Sequence, residues 1–464
     1  MYRKSAYLFA VNTVNRSLNF VLRIVLRAVL GLNDYGMLAV ILPVQNMILT
    51  ITSYAVSPSV SKHVSEDVAV SRRTGLYPFA FLLVGAVLLC AGLLLAPLMA
   101  SFLSEDFGTD IVLPLRIMIA VIPVGILFSI LTGIFFGHQR ARVVALALFV
   151  VEVATVVAAY ALGWTGGVTG AVGAFLAGYL LGILCLLFPL KGLSLERSWD
   201  GSRARRMMLF SAPLMGTSLA IVTIFQVDII ILGRYYTTVE TSLYGLVAPT
   251  ARLIPALSVA LSSLLLPKVS ELSSRGQGTG DVITTALEAG FAASLPFALA
   301  IFAFSEEILY VLFNAVEAAN ALRILSVGML CYALFYLCSS SLQGRGDTRP
   351  PLYAISIAAA ADLVLCFALI PAYGISGAAV ATSLSLALAL ALVSFSLRLP
   401  VRPRLSLILA GIPLVAFERA VGIVGSPLTT LVVYGFVGVV FFIAYVKYAG
   451  LLSLIRDEEP CTLS

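Results

Sequence analysis

The residues best suited to chemistry come early, in the stretch VNTVNRSLNFVLRIVLR from Val11 to Arg27. At 100° per residue, Asn12, Arg16, Asn19, Arg23 and Arg27 fall within a wedge of about 80° that rises about 22 Å along a helix. The opposite face, with Val14, Leu18, Val21 and Val25, is apolar. A row of guanidinium groups recognises anions, and the planar fork of arginine matches the paired oxygens of phosphate or pyrophosphate. Three arginines turned to hydrocarbon would cost roughly 8–10 kcal/mol. The spacing therefore predicts one helix face that meets a wet cleft rather than lipid. Two plainer readings compete. Arg27 lies near the outer end and can snorkel to the interface, and a basic amphipathic helix can lie flat on a membrane surface. The short break before the next apolar run and the plainly spanning counterpart near residue 206 argue against the flat helix.

Other charges interrupt later apolar runs: Glu152, Asp228, Arg252, Asp362 and the neighbours Glu418 and Arg419. Arg116 and Arg323 sit near outer span ends, where they snorkel or cap. Asp228 is a candidate counter-ion for an arginine of the first helix. Glu152 and Asp362 are each either a hydrogen-bonded buried carboxyl or a group that couples transport to H+ or Na+. The sequence holds no Gly-x-x-x-x-Gly-Lys loop, no metal cluster and no Ser-His-Asp candidate, so neither an enzyme nor a cofactor is expected. Energy would come from an ion gradient, the membrane potential or the substrate gradient. His63 and His138 lie in polar loops, which argues against zinc. The six cysteines are scattered and read as small hydrophobes.

The elements that position these residues follow from composition. Apolar residues make up 60% of the 464-residue chain and charged ones 11%, with mean hydropathy +1.05. A soluble domain carries about 25% charged residues. Apolar runs long enough to cross a bilayer lie near 6–30, 36–61, 75–98, 111–137, 142–163, 168–189, 206–233, 243–267, 284–304, 320–343, 351–371, 375–397, 405–424 and 427–449. These give an all-α polytopic membrane protein of about fourteen helices. The basic start is followed by an apolar run broken by Asn and Arg with no A-x-A site, so it is expected to be retained.

Lys and Arg concentrate at the N-terminus and in alternate breaks, while Arg234 stands alone in the opposite breaks beside acidic clusters such as Glu105–Asp106 and Glu306–Glu307. The asymmetry places both termini in the cytoplasm of a cell-membrane protein. The net charge of +6 thus reflects topology, and nucleic-acid binding has no support. The Arg345-Gly346-Asp347 tripeptide falls on the cytoplasmic side and reads as a polar turn.

The two halves repeat. LRI at Leu115 precedes Gly137 by 22 residues, and LRI at Leu322 precedes Gly344 by 22. At the same offset of 207, GVTGA (167–171) matches GISGA (374–378). Tyr35-Gly36 and Tyr244-Gly245 precede PSVS and PKVS by equal spacings. Each copy holds six spans, and an even number leaves the copies in the same orientation. The expected organisation is a six-helix bundle over 1–190, a basic cytoplasmic linker over 191–205 that contacts the lipid surface, a second bundle over 206–398, and two extra helices with a tail over 399–464. Parallel twin bundles suit alternating access.

LRAVLGLNDYGMLAV after the polar first helix, DIIILGRYYTTVETSLYGLVAPTARL at span 7, and SSLQGRGDTRPPLYAIS with LIPAYGISGAAVATSLS across spans 10 to 12 resemble the polysaccharide exporter group. That group includes O-antigen and oligosaccharide flippases and the stage-five sporulation protein B type, and it belongs with lipid II flippases and multidrug-and-toxin extruders. The resemblance implies a V-shaped, two-lobed fold that moves prenyl-linked sugars from the inner to the outer leaflet, with membrane lipids around it. It also implies that Arg16, Arg23 and Arg252 hold the pyrophosphate; Asn12 and Asn19, on the same helix face by their spacing, are expected to bind the substrate with them. Helix 2 offers only Gln45 and Asn46 where lipid II flippases add an arginine, which favours a generic glycolipid over the peptidoglycan precursor. The alternatives are an ion-coupled extruder of organic cations, which would want a carboxylate-rich cleft, a lipid II flippase, and a scaffold for glycan assembly enzymes.

Overall fold

The computed structural model describes residues 2–397 apart from 72–74, 104–108 and, in the linker, 191–192, 194–195 and 197–198. Spans 13 and 14, with Glu418, Arg419 and Cys461, lie outside the described residues. Among the described residues the chain is helical, in eleven α-helices joined by short turns. They are α1 (Tyr2–Ser71), α2 (Phe81–Phe102), α3 (Val112–Gly137), α4 (Ala141–Leu190), α5 (Gly201–Tyr235) and α6 (Thr238–Ala251). There follow α7 (Ala256–Ser274), α8 (Gly280–Ala303), α9 (Ser305–Phe313), α10 (Ala319–Gly344) and α11 (Arg349–Leu397). Eight helical stretches among the described residues are long and apolar enough to cross a membrane.

The three longest helices, of 70, 50 and 49 residues, outrun any bilayer, and each breaks at a glycine with positive φ. Gly31 (φ 77°, ψ −176°) interrupts α1, Gly167 (φ 54°, ψ −138°) interrupts α4, and Gly374 (φ 54°, ψ −131°) interrupts α11. Only glycine enters this region without steric cost. Gly167 and Gly374 head the two matched pentapeptides, so the repeat read from sequence marks the same backbone break twice.

In α4 the break makes a helical hairpin. Gly170 packs on the Leu162 carbonyl, Gly178 on Thr155 and Gly182 on Val151. The paired numbers run in opposite directions about Gly167, as antiparallel segments require. Small residues let the two backbones approach closely, which is how helices associate where lipid removes the hydrophobic drive.

The chain divides into two compact units. Among the described residues, the first comprises the chain up to Leu246 with Cys366–Ile375, the second Val247–Leu365 with the chain from Ser376 to Leu397. In the first, α3 is the buried centre, packed on α1, α2 and α4. Gly133 of α3 lies against the Ser57 carbonyl and Val60, and Gly137 against Val64. In the second unit α10 takes the corresponding place between α7 and α8, and its Gly344 lies against Val269 and the Leu266 carbonyl. Gly137 and Gly344 are the glycines matched in the repeat. At the edge of the first unit α2 presents Leu83, Val87, Leu94 and Leu98 outward, with Leu94 80% exposed. Such an apolar surface belongs in hydrocarbon.

Two boundaries differ from the sequence reading. Helix α5 begins inside the expected linker because Asp200 caps it, its Oδ1 accepting the N–H groups of Ser202 (2.9 Å) and Arg203 (3.1 Å). Span 8 is discontinuous: the chain unwinds into turns over 252–255 between α6 and α7. Pro255 gives the cause, since it brings no N–H to the ladder.

Candidate cation-lined site

Gly31 shapes the candidate site. On a straight helix Arg23 and Tyr35 would be separated by a rise of about 18 Å. The break brings them together, and the Arg23 guanidinium hydrogen-bonds the Tyr35 hydroxyl. Tyr35 is fully buried, and its Oη in turn donates to the Gly245 carbonyl at 3.4 Å. Here the two copies of the repeated Tyr-Gly motif meet. Gly36 lies against the Thr238 carbonyl, and Gly245 against Ala39 at 2.7 Å from an added Cβ. A side chain at either position would force α1 and α6 apart.

The charge of Arg23 also acts on Glu152 of α4, and the Glu152 charge acts on Tyr179 across the α4 hairpin. Tyr179 is held edge-on to Phe128 of α3, ring centroids 5.6 Å apart. Arg23 and Glu152 are both half-buried. Side chains of α1 and of both arms of α4 are thus in electrostatic reach of one another inside the first unit. One turn further on, Arg27 acts on Tyr35, and its Nε is buried without a hydrogen-bond partner. Asn15 Oδ1 is likewise buried and unbonded. Unsatisfied polar atoms in a membrane helix are costly unless a ligand or water meets them.

Of the other residues read from sequence, Asn19 is exposed. Asn12 and Arg16 lie on α1, with side chains outside the described set, as is that of Gln45. Asp228 on α5 is 2% exposed, and its carboxylate accepts the Tyr244 hydroxyl at 2.5 Å and the Ile229 N–H at 2.8 Å. Tyr244 neighbours the Gly245 carbonyl that Tyr35 uses, so Asp228 belongs to the frame on which Tyr35 rests. Asp362 is fully buried in α11 of the second unit. Arg252, also in the second unit, is half-buried and occupies the first residue of the break between α6 and α7. Broken spans line binding sites in transporters, because the half-helix ends offer free backbone groups. Tyr35 and Tyr179 escaped the sequence reading, although Tyr35 stood in a repeated motif.

The model of a family described as polysaccharide biosynthesis protein matches residues 1–273, more than half of the chain. The chain belongs to the polysaccharide biosynthesis protein family. A MatE model matches residues 213–368 of this family member. An uncharacterised membrane protein of Methanocaldococcus jannaschii is 22% identical over 82% of this chain and 94% of its own length. A probable low-salt glycan biosynthesis flippase of Haloferax volcanii is 28% identical over 160 residues, about a third of each chain. Among solved structures, a lipid II flippase in an inward closed conformation superposes with a TM-score of 0.81 at 16% identity, covering 96% of this chain and 99% of that one. A multidrug resistance MATE family transporter of the MOP superfamily, facing inward, gives 0.70 at 14% identity over 82% and 94%. These likenesses establish a shared all-helical membrane fold.

Proposed function

We propose that this protein is a flippase that moves a pyrophosphate-linked oligosaccharide lipid from the cytoplasmic to the outer leaflet of the cell membrane. The observation that carries the reading is the cationic face of α1. Arg23 is held by Tyr35 and feels the charge of Glu152, and Arg27 keeps a buried donor free of protein partners. Guanidinium groups fixed by neighbours lose little entropy on meeting phosphate oxygens, which makes them good headgroup ligands. Arg16, Arg23 and Arg252 are the proposed phosphate ligands, with Asn12 and Asn19 on the sugar side. The pyrophosphate and the sugar stay in a wet path while the prenyl tail stays in lipid.

Glu152 is the proposed counter-ion of Arg23, and with Asp228 and Asp362 it makes up the candidate set for H+ or Na+ coupling. Six-helix bundles over 1–190 and 206–398 with cytoplasmic termini, two added C-terminal helices and alternating access complete the reading.

Support comes from the family model, from the resemblance to a probable glycan biosynthesis flippase and from the fold shared with a lipid II flippase. The MatE match over 213–368 favours a second reading, an ion-coupled extruder of organic cations. Reconstitution with a fluorescent lipid-linked oligosaccharide separates the readings. Flipping should make the outer-leaflet label accessible to a membrane-impermeant quencher. Absence of movement, together with drug efflux lost in Asp228→Asn and retained in Arg16→Ala, would establish the extruder. Absence of both activities would leave a scaffold for glycan assembly enzymes.

A further inference from the structure

One cavity in the first unit lies apart from the arginine cluster. It has a volume of about 290 Å³ and lies between α1, the C-terminal end of α2, the start of α3 and α5. Val40, Val44, Leu98, Met99, Phe102 and Ile230 are among its walls, and all of its lining side chains are hydrocarbon or thioether. Water entering it would find none of the two to four polar partners it needs. Its walls are open to the bilayer, since Leu98 is 66% and Phe102 44% exposed.

A cation stands at its rim. The Arg234 guanidinium lies 5.7 Å from the centroid of the Phe102 ring. Arg234 is exposed and occupies the last turn of α5. It is also the one basic residue that the charge pattern places in the outer breaks. Glu240, six residues on, already accepts the Thr237 N–H and hydroxyl, each at 3.1 Å.

A dry slot of hydrocarbon open to lipid, with a cation above its mouth, is complementary to a chain that ends in an anion. We infer that this cavity binds one hydrocarbon chain of an anionic membrane phospholipid of the outer leaflet, with Arg234 on its phosphate. The ligand is a resident lipid rather than the transported one, because its phosphate meets a single exposed arginine on the outer side. Its chain fills the gap between α1, α2 and α5 and recovers the dispersion contacts that an empty slot forfeits. Arg234 discriminates the headgroup by charge, with Phe102 holding its plane.

The test uses the full chain in nanodiscs made with phosphatidylglycerol or phosphatidylcholine carrying a photoactivatable group near the chain terminus. Phosphatidylglycerol should crosslink to peptides that contain Met99 and Phe102. Arg234→Gln, at an exposed site that leaves folding intact, should lower that yield several-fold while leaving the phosphatidylcholine yield unchanged. Val44→Phe should fill the slot and abolish crosslinking by both lipids, with an unchanged melting temperature as the check on folding. Equal yields from the two lipids that ignore Arg234→Gln would overturn the inference in favour of bulk lipid contact. Displacement of phosphatidylglycerol by a prenyl pyrophosphate at low molar ratio would overturn it in favour of the substrate's tail.

Discussion

Arg23 and Tyr35, twelve residues apart on α1, are hydrogen-bonded to each other across the break at Gly31. Tyr35 in turn donates its hydroxyl proton to the Gly245 carbonyl. Arg23 is thus aimed through the backbone break at Gly31.

Gly31→Ala should weaken both the fold and the site. An added Cβ at Gly31 meets no atom within 4 Å, so the cost is purely in the backbone at φ 77°, ψ −176°. Such strain amounts to about 1–3 kcal/mol. A lowered melting temperature in detergent together with slowed flipping is the expected outcome. Gly166→Ala, also in open space but without positive φ, should leave both unchanged.

The α4 hairpin predicts a coupled pair. Gly178 lies against Thr155, whose hydroxyl is committed to the Val151 carbonyl at 2.7 Å. Gly178→Ala should destabilise by about 1–3 kcal/mol through overpacking. Thr155→Ala removes the obstructing hydroxyl, so the double variant should recover part of the loss. A double-mutant cycle on thermal unfolding reads the coupling, and strict additivity would refute the close approach.

At the start of α5, the Ser202 hydroxyl and the amides of Arg203 and Ser202 hold the Asp200 carboxyl below its ordinary value of 3.8. A carboxyl depressed in the folded state stabilises above its unfolded pKa, and that contribution disappears as pH falls through the folded one. Amide exchange at Ser202 and Arg203 should therefore stay slow down to the ordinary aspartate range and accelerate only below it. Asp200→Ala should make exchange fast at every pH.

Much of this was written in the residues, and the remainder was not for a physical reason. Helical periodicity shows which residues share a face, so the row from Asn12 to Arg27 and the apolar spans could be read directly. Repetition showed more: the glycines heading GVTGA and GISGA proved to be the positive-φ breaks Gly167 and Gly374. Periodicity carries no information on register between helices. That Arg23 acts on Glu152, and Glu152 on Tyr179, depends on how α1 packs on α4, which no local pattern encodes. The break at Arg252 was hidden because the apolar run resumes at once with Leu253 and Ile254, whereas one missing N–H at Pro255 matters more than mean hydropathy.

The central claim is that the cationic face of α1 carries the phosphate. The direct measurement is the initial rate of lipid-linked oligosaccharide flipping in proteoliposomes for Arg16→Ala, Arg23→Ala and their double variant, each checked for unchanged melting temperature. Loss of one charge-assisted hydrogen bond is worth about 1.5–3 kcal/mol, so each single variant should slow flipping by tenfold or more and the double variant should abolish it. Wild-type rates in the folded double variant would contradict the account.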